Sequence, residues 1–265
     1  MSSEFMVVIP ARYNSSRLPG KPLADIAGAP MVERVWQQAC ASNASRVIIA
    51  TDDERVEAAA RGFGAEVIRT SPDHPNGTSR LAEVVAQLSL SPDTCIVNVQ
   101  GDEPLLPPAL INQVAEALIA RPAVAIATLA EPIDDIETLA RASVVKVVRD
   151  HQEQALYFSR APIAWPRDSF AADVFTRPQG ALPATEVPWL RHIGLYAYRA
   201  SFLTDYAALS VSPLEMIEQL EQLRALYHGY AIHVGLSPVA YPAGVDTQED
   251  LERVRQAWAA RSVTE

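Results

Sequence analysis

Cysteine is nearly absent. Cys40 and Cys95 are the only two in 265 residues, with no C-x-x-C pair, so they read as buried thiols in a reducing cytoplasm rather than a disulfide framework. No apolar run approaches the ~20 residues that span a bilayer. Residues 1–5 lack the basic start and long apolar stretch of a signal peptide. Neither glycine-rich phosphate signature occurs: there is no G-x-G-x-x-G and no G-x-x-x-x-G-K-[ST]. Positive charge is also short. Lys and Arg number 22 against 32 Asp and Glu, and the net charge of −10 argues against a general nucleic-acid surface. What is present is a chain 49% hydrophobic, enough to bury one large core or two small ones.

Against that deficit, three cations stand close together. Met6, Val7, Val8 and Ile9 form a short, mostly β-branched run that predicts a buried strand ended by Pro10. The following residues cannot form a regular helix, because Pro19, Gly20 and Pro22 break it. Arg12, Arg17 and Lys21 therefore sit in a loop after the first strand, where α/β proteins usually bind ligands. Like charges ~4 Å apart near a protein surface repel by about 4 kcal/mol, so a polyphosphate needs local cations or a divalent metal to bind so acidic a chain. Solvated surface charge is the plainer alternative; the Pro and Gly residues, which fix the loop's shape, weigh against it.

Further along, Gly28-Ala29-Pro30 marks a turn at a helix start, and Met31, Val32, Val35, Trp36 and Ala39 recur at helical spacing. Arg46 to Ala50 predicts a strand, and Thr51 with Glu54 a capping box for a helix to about Arg61. After a strand at Ala65 to Ile68, a turn-rich loop carries Asp73, His74, Asn76, Gly77, Thr78 and Arg80. As a bare pattern it is a connection with Thr78 as N-cap. Thr94 to Val99 predicts a central strand running into Gln100-Gly101-Asp102-Glu103-Pro104. Asp102 stands where ligand-facing acids sit, or caps the helix near Pro107-Pro108, and Glu103 competes for the same role. Strands around Lys146 and from Ala155 toward Arg160 precede a long Pro-rich excursion, 165–189, of functional or interfacial type. Leu190 to Arg199 alternates like a strand, with His192, Gly194, Tyr196 and Tyr198 on one face. Ser212-Pro213 opens a helix with Glu215 in capping-box position and Leu214, Ile217, Leu220 and Leu223 at core spacing. Thr247 and Asp250 form the last capping box, which leaves Asp246 outside it and free to turn inward.

The stretch Pro10-Ala11-Arg12-Tyr13-x-Ser15-x-Arg17-Leu18-Pro19-Gly20-Lys21-Pro22-Leu23 closely resembles the signature loop of the CMP-Kdo synthetases, the 3-deoxy-manno-octulosonate cytidylyltransferases. The loop 70–80, the pentapeptide at 100–104 and the segment Gly244-Val-Asp246-Thr247 match the same family. Ser79 departs from it, where Glu is expected. The resemblance implies transfer of CMP from CTP to the anomeric hydroxyl of 3-deoxy-D-manno-octulosonate (Kdo), with pyrophosphate released and Kdo activated for lipopolysaccharide synthesis. It implies that Arg17, Lys21, Asp102 and Asp246 are catalytic, and that Asp102 and Asp246 hold Mg2+. Pro10, Ala11, Arg12, Arg17, Lys21, Asn76, Gly77 and Thr78 are implied to bind the nucleotide. Arg80, Gln100, Arg160, His192, Tyr196 and Glu215 are implied around the sugar acid, although Glu215 cannot serve as cap and ligand at once.

The resemblance runs from Val7 to about Val254 and implies an α/β fold: a Rossmann-like, mixed, mostly parallel sheet with helices on both faces. One nucleotidyltransferase domain, 1–265, is expected. Its nucleotide part is about 6–133 plus 235–262, and an inserted sugar and dimer part is about 134–234. The implied partners are CTP and Kdo, with a homodimer, no nucleic acid and no membrane, in the cytoplasm.

Overall fold

The computed structural model describes residues 4–14, 17–170, 174–176 and 178–261. Ser15 of the loop motif and parts of the 165–189 excursion lie outside these, as does residue 262. Strand β1 (Phe5–Ala11) leads through a 3₁₀ turn (Lys21–Leu23) and a short hairpin, β2 (Asp25–Ile26) with β3 (Ala29–Pro30), into α1 (Met31–Cys40). Next come β4 (Arg46–Thr51), α2 (Glu54–Gly62), β5 (Glu66–Arg69), α3 (Gly77–Leu88), β6 (Cys95–Asn98) and α4 (Pro108–Ile119). Then follow β7 (Ile126–Pro132), α5 (Ile136–Ala140), β8 (Lys146–Arg149), β9 (Ala155–Ser159) and β10 (Leu190–Arg199). The chain closes with α6 (Ala200–Tyr206), α7 (Pro213–Glu218), α8 (Gln222–Tyr227), β11 (Ile232–Leu236) and α9 (Gln248–Arg261).

The chain forms two compact units. The first comprises the described residues up to Pro122, Leu195–Ala208, and those from Tyr241 on. Its strands β6, β1, β4 and β5 are parallel in that order, and the end of β10 runs antiparallel beside β6. This is the expected mixed, mostly parallel α/β sheet. Val7, Val8, Ile9, Ile48, Ile49 and Val97 are buried, as near-continuous apolar runs in such a sheet must be. Pro10 does not end β1, which continues to Ala11. β6 pairs only with Phe5 to Val8, so Pro10 has one neighbouring strand and its missing N–H is tolerated there.

A second cluster explains how the C-terminus reaches the first loop. Val245, Leu251 and Val254 pack with Ile26 and Met31, and Leu18 and Trp258 lie against them. The Arg255 side chain donates to the Asp25 carbonyl at 2.8 Å, and the Arg34 guanidinium lies 4.8 Å over the Trp258 ring. Helix α9 is thereby fixed against the segment that follows the cation loop.

The second unit comprises Ala123–Gly194 and Leu209–Ala240. β7 and β11 are parallel, β8 and β9 form an antiparallel pair, and Leu190 and Arg191 continue it from β8. Ile133, Leu139, Phe170 and Trp189 form its apolar cluster. The chain thus divides by contact near residue 122 rather than 133, and 195–208 returns to the first unit.

Several local expectations change. Asp53, not Thr51, caps α2, accepting from the Arg55 and Val56 N–H groups. Asn76, not Thr78, caps α3, accepting from Ser79 N–H. The helix after Ser212 is shorter than its apolar spacing suggests. It stops at Glu218, where Gln219 takes a left-handed conformation (φ 53°), and Leu214 and Ile217 are exposed rather than core. Cys95 is buried, but Cys40 is exposed at the end of α1.

Candidate active site

In the first unit the Lys21 side chain reaches three oxygens from two remote segments. Its Nζ donates to Asp102 Oδ2 at 2.6 Å, to the Val245 carbonyl at 2.7 Å and to Asp246 Oδ1 at 3.2 Å. Arg17 lies 3.1 Å from the same Asp246 oxygen. Two expected cations and both expected acids therefore meet in one cluster.

Local structure explains the meeting. Asp102 follows the buried end of β6, and the Val245 N–H donates to the Asp102 carbonyl at 2.9 Å, locking the two acid-bearing segments side by side. Close backbone approach demands glycine at 101 and favours it at 244. A Cβ on Gly101 would lie 2.8 Å from the Pro10 carbonyl oxygen, and one on Gly244 would lie 3.2 Å from the Asp102 carbonyl oxygen. Asp102 is not a helix cap, since α4 begins after Pro107 without a side-chain cap. Asp246 stands just before the capping box. Asp250 accepts from Thr247 and from the Asp246 N–H, while Thr247 Oγ1 accepts from Asp250 N–H.

Arg12 has a different job. Its guanidinium donates to the His74 carbonyl and, at 3.3 Å, to the Asn76 carbonyl, tying the cation loop to the 70–80 loop. Asn76 also donates to the Tyr206 hydroxyl at 3.0 Å, and Gly77 packs against the Pro10 ring. Pro10, Ala11, Asn76, Gly77 and Thr78 thus belong to adjoining segments, with Thr78 buried. Arg80, expected to face sugar, is instead fully buried. It donates to Thr70 and lies 3.5 Å from Asp52; burial chiefly lowers its pKa, partly offset by the Asp52 charge. Gln100 is half-buried beside the cluster's acid loop. Tyr196 is buried and stacked on Tyr198, with ring centroids 5.5 Å apart.

The other expected sugar residues lie in the second unit. Arg160 gives its guanidinium to the carbonyls of Ala142, Glu218 and Gln219 at 3.0, 2.7 and 3.3 Å. His192 contacts Thr128 Oγ1 at 3.0 Å and meets Phe158 edge-on. The same Thr128 hydroxyl lies 3.0 Å from the Ile193 carbonyl, to which it donates. Desolvation pushes the His192 pKa down to about 3. Glu215 neither caps nor opens to solvent. Its carboxylate pairs with Arg224 through two bonds of 2.7 and 2.6 Å, and Ser212 caps the helix. The Glu215 carboxylate is thus paired with Arg224, whereas Arg80 is buried with a bond to Thr70 and with its Nε and Nη2 lacking a hydrogen-bond partner.

Four contributors escaped the sequence reading. Glu103, which had competed with Asp102, turns inward instead. Burial, then the Asp102 charge, pushes its carboxyl up to about 8, and the Tyr241 hydroxyl donates to it. Lys146 is buried, with Nζ donating to the Arg141, Val144 and Arg160 carbonyls at 3.0, 2.6 and 2.5 Å; burial lowers its pKa to about 8. The Val245 carbonyl carried no signal, being backbone. Asn98, the one amide in an apolar strand, was a visible signal: it is buried, close to Gly77.

Comparison with known proteins is consistent across sequence and structure. The model of a cytidylyltransferase family matches residues 6–232. A 3-deoxy-manno-octulosonate cytidylyltransferase of Chromohalobacter salexigens is 62% identical over 254 residues, covering 96% of each chain. One from Pseudomonas syringae is 57% identical, covering 97% of this chain and 98% of its own. A solved CMP:2-keto-3-deoxy-manno-octonic acid synthetase complexed with CTP superposes with a TM-score of 0.86 at 40% identity, over 98% of this chain and all of that one. A cytidylyltransferase structure from Leptospira borgpetersenii, at 14% identity and TM-score 0.61, over 97% of this chain and 87% of its own, shares the fold.

Proposed function

Because the chain belongs to the 3-deoxy-manno-octulosonate cytidylyltransferases, we propose that its Lys21 cluster is where CMP passes from CTP to the anomeric hydroxyl of Kdo, releasing pyrophosphate. The supporting observation is the convergence of Arg17, Lys21, Asp102 and Asp246 in an acidic chain. Cations gathered there offset the repulsion that a net charge of −10 imposes on a triphosphate.

The chain's own part is positioning and charge neutralisation. Negative charge grows on the leaving pyrophosphate as the P–O bond breaks, so Lys21 and Arg17 act more strongly on the transition state than on bound CTP. Arg12, through its hold on the His74 and Asn76 carbonyls, keeps the loop at Asn76, Gly77 and Thr78 in place for the nucleobase. Asp102, Asp246 and the Val245 carbonyl already surround one cationic atom with three hard oxygens, a donor set that fits Mg2+. Asp102 and Asp246 would hold it, and it would supply Lewis-acid polarisation of the α-phosphate and a more acidic hydroxyl.

For the sugar acid, the family resemblance assigns Gln100, Tyr196 and Arg80 within the first unit and, separately, Arg160, His192 and Glu215 within the second. The free thiols suit a reducing cytoplasm, where the product feeds lipopolysaccharide synthesis. Homodimerisation through the second unit is supported by its exposed Leu156, Val187, Met216 and Ile217. No helix among the described residues is long and apolar enough to cross a membrane.

The test is pyrophosphate release from four nucleoside triphosphates crossed with several 2-keto sugar acids, with and without divalent metal. CTP with Kdo and metal should stand far above every other combination. Tight CTP binding without turnover on any sugar acid would make the protein a nucleotide sensor instead.

A further inference from the structure

Lys21 has the position of an ion. An ammonium carries three donors, and here all three are spent on Asp102 Oδ2, Asp246 Oδ1 and the Val245 carbonyl. Two of these oxygens are charged, and all are hard. They are the atoms that fit a divalent cation, and a lysine fills the centre of their arrangement.

We propose that Lys21 is a resident stand-in cation, which occupies the divalent-metal position in the nucleotide-free protein and leaves it when a polyphosphate offers a better partner. The inference rests on the metal reading of Asp102 and Asp246 given above.

Charge and mobility both support it. Arg17 and Lys21 balance Asp102 and Asp246, so the resting cluster is neutral. A divalent ion arriving alone would face the Lys21 ammonium at the same oxygens. A triphosphate brings the negative charge that both the ion and the displaced lysine need. The acids themselves need not move. The Val245 N–H bond to the Asp102 carbonyl fixes their backbones, and Gly244 lets them approach closely. The mobile part is a compact charge on a flexible four-carbon stem. The site thereby couples metal to nucleotide: each should bind poorly alone and better together, by the same factor in both directions.

The experiment measures Mn2+ binding to the full chain by electron paramagnetic resonance of the free ion, without nucleotide and with CTP in the absence of any sugar acid. Wild type should bind Mn2+ weakly alone and much more tightly with CTP. Lys21→Met and Lys21→Gln, which leave the acids in place, should bind Mn2+ without nucleotide at least tenfold more tightly than wild type. Adding Asp102→Asn to Lys21→Met should abolish that gain. As a second readout, Mn2+ alone should raise the thermal midpoint of both Lys21 variants more than that of wild type. Unchanged nucleotide-free affinity in both variants would overturn the stand-in role while leaving the metal site intact. A CTP-dependent Mn2+ affinity indifferent to Asp102→Asn would instead remove the metal site, and this proposal with it.

Discussion

Lys21 and Asp102, 81 residues apart in the chain, are joined at 2.6 Å, and the lysine is only 14% exposed at its side chain. That contact links the loop after the first strand to the end of the buried strand β6. It also gives the two residues unequal neighbours. Lys21 serves both acids, whereas Arg17, 64% exposed, serves Asp246 alone.

The inequality sets an expectation for substitution. Lys21→Ala should lower kcat by about 10²–10³-fold, the scale of losing one well-placed charge-stabilising donor. Arg17→Ala should lower it less, because solvent screens an exposed charge. In both, kcat should fall more than KM for Kdo rises. Steady-state kinetics on the two variants checks the order, and an unchanged kcat in both would return the loop to solvated surface charge.

Glu215 and Arg224 form a bidentate pair, both about 11% exposed at the side chain. Glu215→Gln strands a buried guanidinium and should destabilise the protein by about 3–5 kcal/mol. Replacing both residues with leucine should recover much of that loss. Thermal or urea unfolding of the three variants measures it. A single variant with wild-type stability and no activity on Kdo would restore Glu215 as a sugar ligand.

The legible parts were those governed by local rules. β-branched runs marked β1, β4 and β6, and the alternation of residues 190–199 gave β10. The Thr247–Asp250 box and the Ser212-Pro213 helix start were readable because each cap lies within four residues of its partner. Failures arose where two caps competed or where tertiary geometry decided. Asp53 and Asn76 won their helices from Thr51 and Thr78, which have the same kind of side chain in the neighbouring turn. The break at Gln219 needs a left-handed residue that is not glycine, which no pattern announces. The Lys21–Asp102–Asp246 cluster was expected only through family resemblance, since nothing local says that residues 21, 102 and 246 touch. Glu103 and Lys146 were missed because a charged residue buried against fold-built partners looks like any surface charge in one dimension.

His192 gives a pH signature. Its ring is held neutral, with a pKa of about 3 against an ordinary 6.5. Between those values the unfolded chain takes up the proton and the folded chain does not. The stability contributed by neutral His192 is therefore complete above pH ~6.5 and drains as pH falls toward ~3. Wild type should lose more thermal midpoint than His192→Gln between pH 6.5 and 4.5. The lowered carboxylates, such as Asp250 at about 2, act further down the scale. Parallel midpoint curves for the two proteins would contradict the neutral ring.

Arg160→Ala and His192→Ala should impair use of Kdo while leaving CTP affinity near wild type, because both residues lie in the second unit and the phosphate cluster lies in the first. Isothermal titration with CTP beside turnover on Kdo separates the two effects. Loss of CTP binding that matches the loss of Kdo use would dissolve the division of labour.

The central claim is that Asp102 and Asp246 serve a cation and not the fold, and asparagine tests it most directly. Asn caps and hydrogen-bonds about as well as Asp, but an amide oxygen carries no charge to offset a divalent ion. Thermal midpoint and metal-dependent pyrophosphate release from CTP and Kdo are to be measured on the same preparations of Asp102→Asn, Asp246→Asn and the double variant. The account predicts midpoints close to wild type, loss of most turnover in each single variant, and a double variant little worse than either, because both acids serve one unit. Full turnover in both single variants would contradict it.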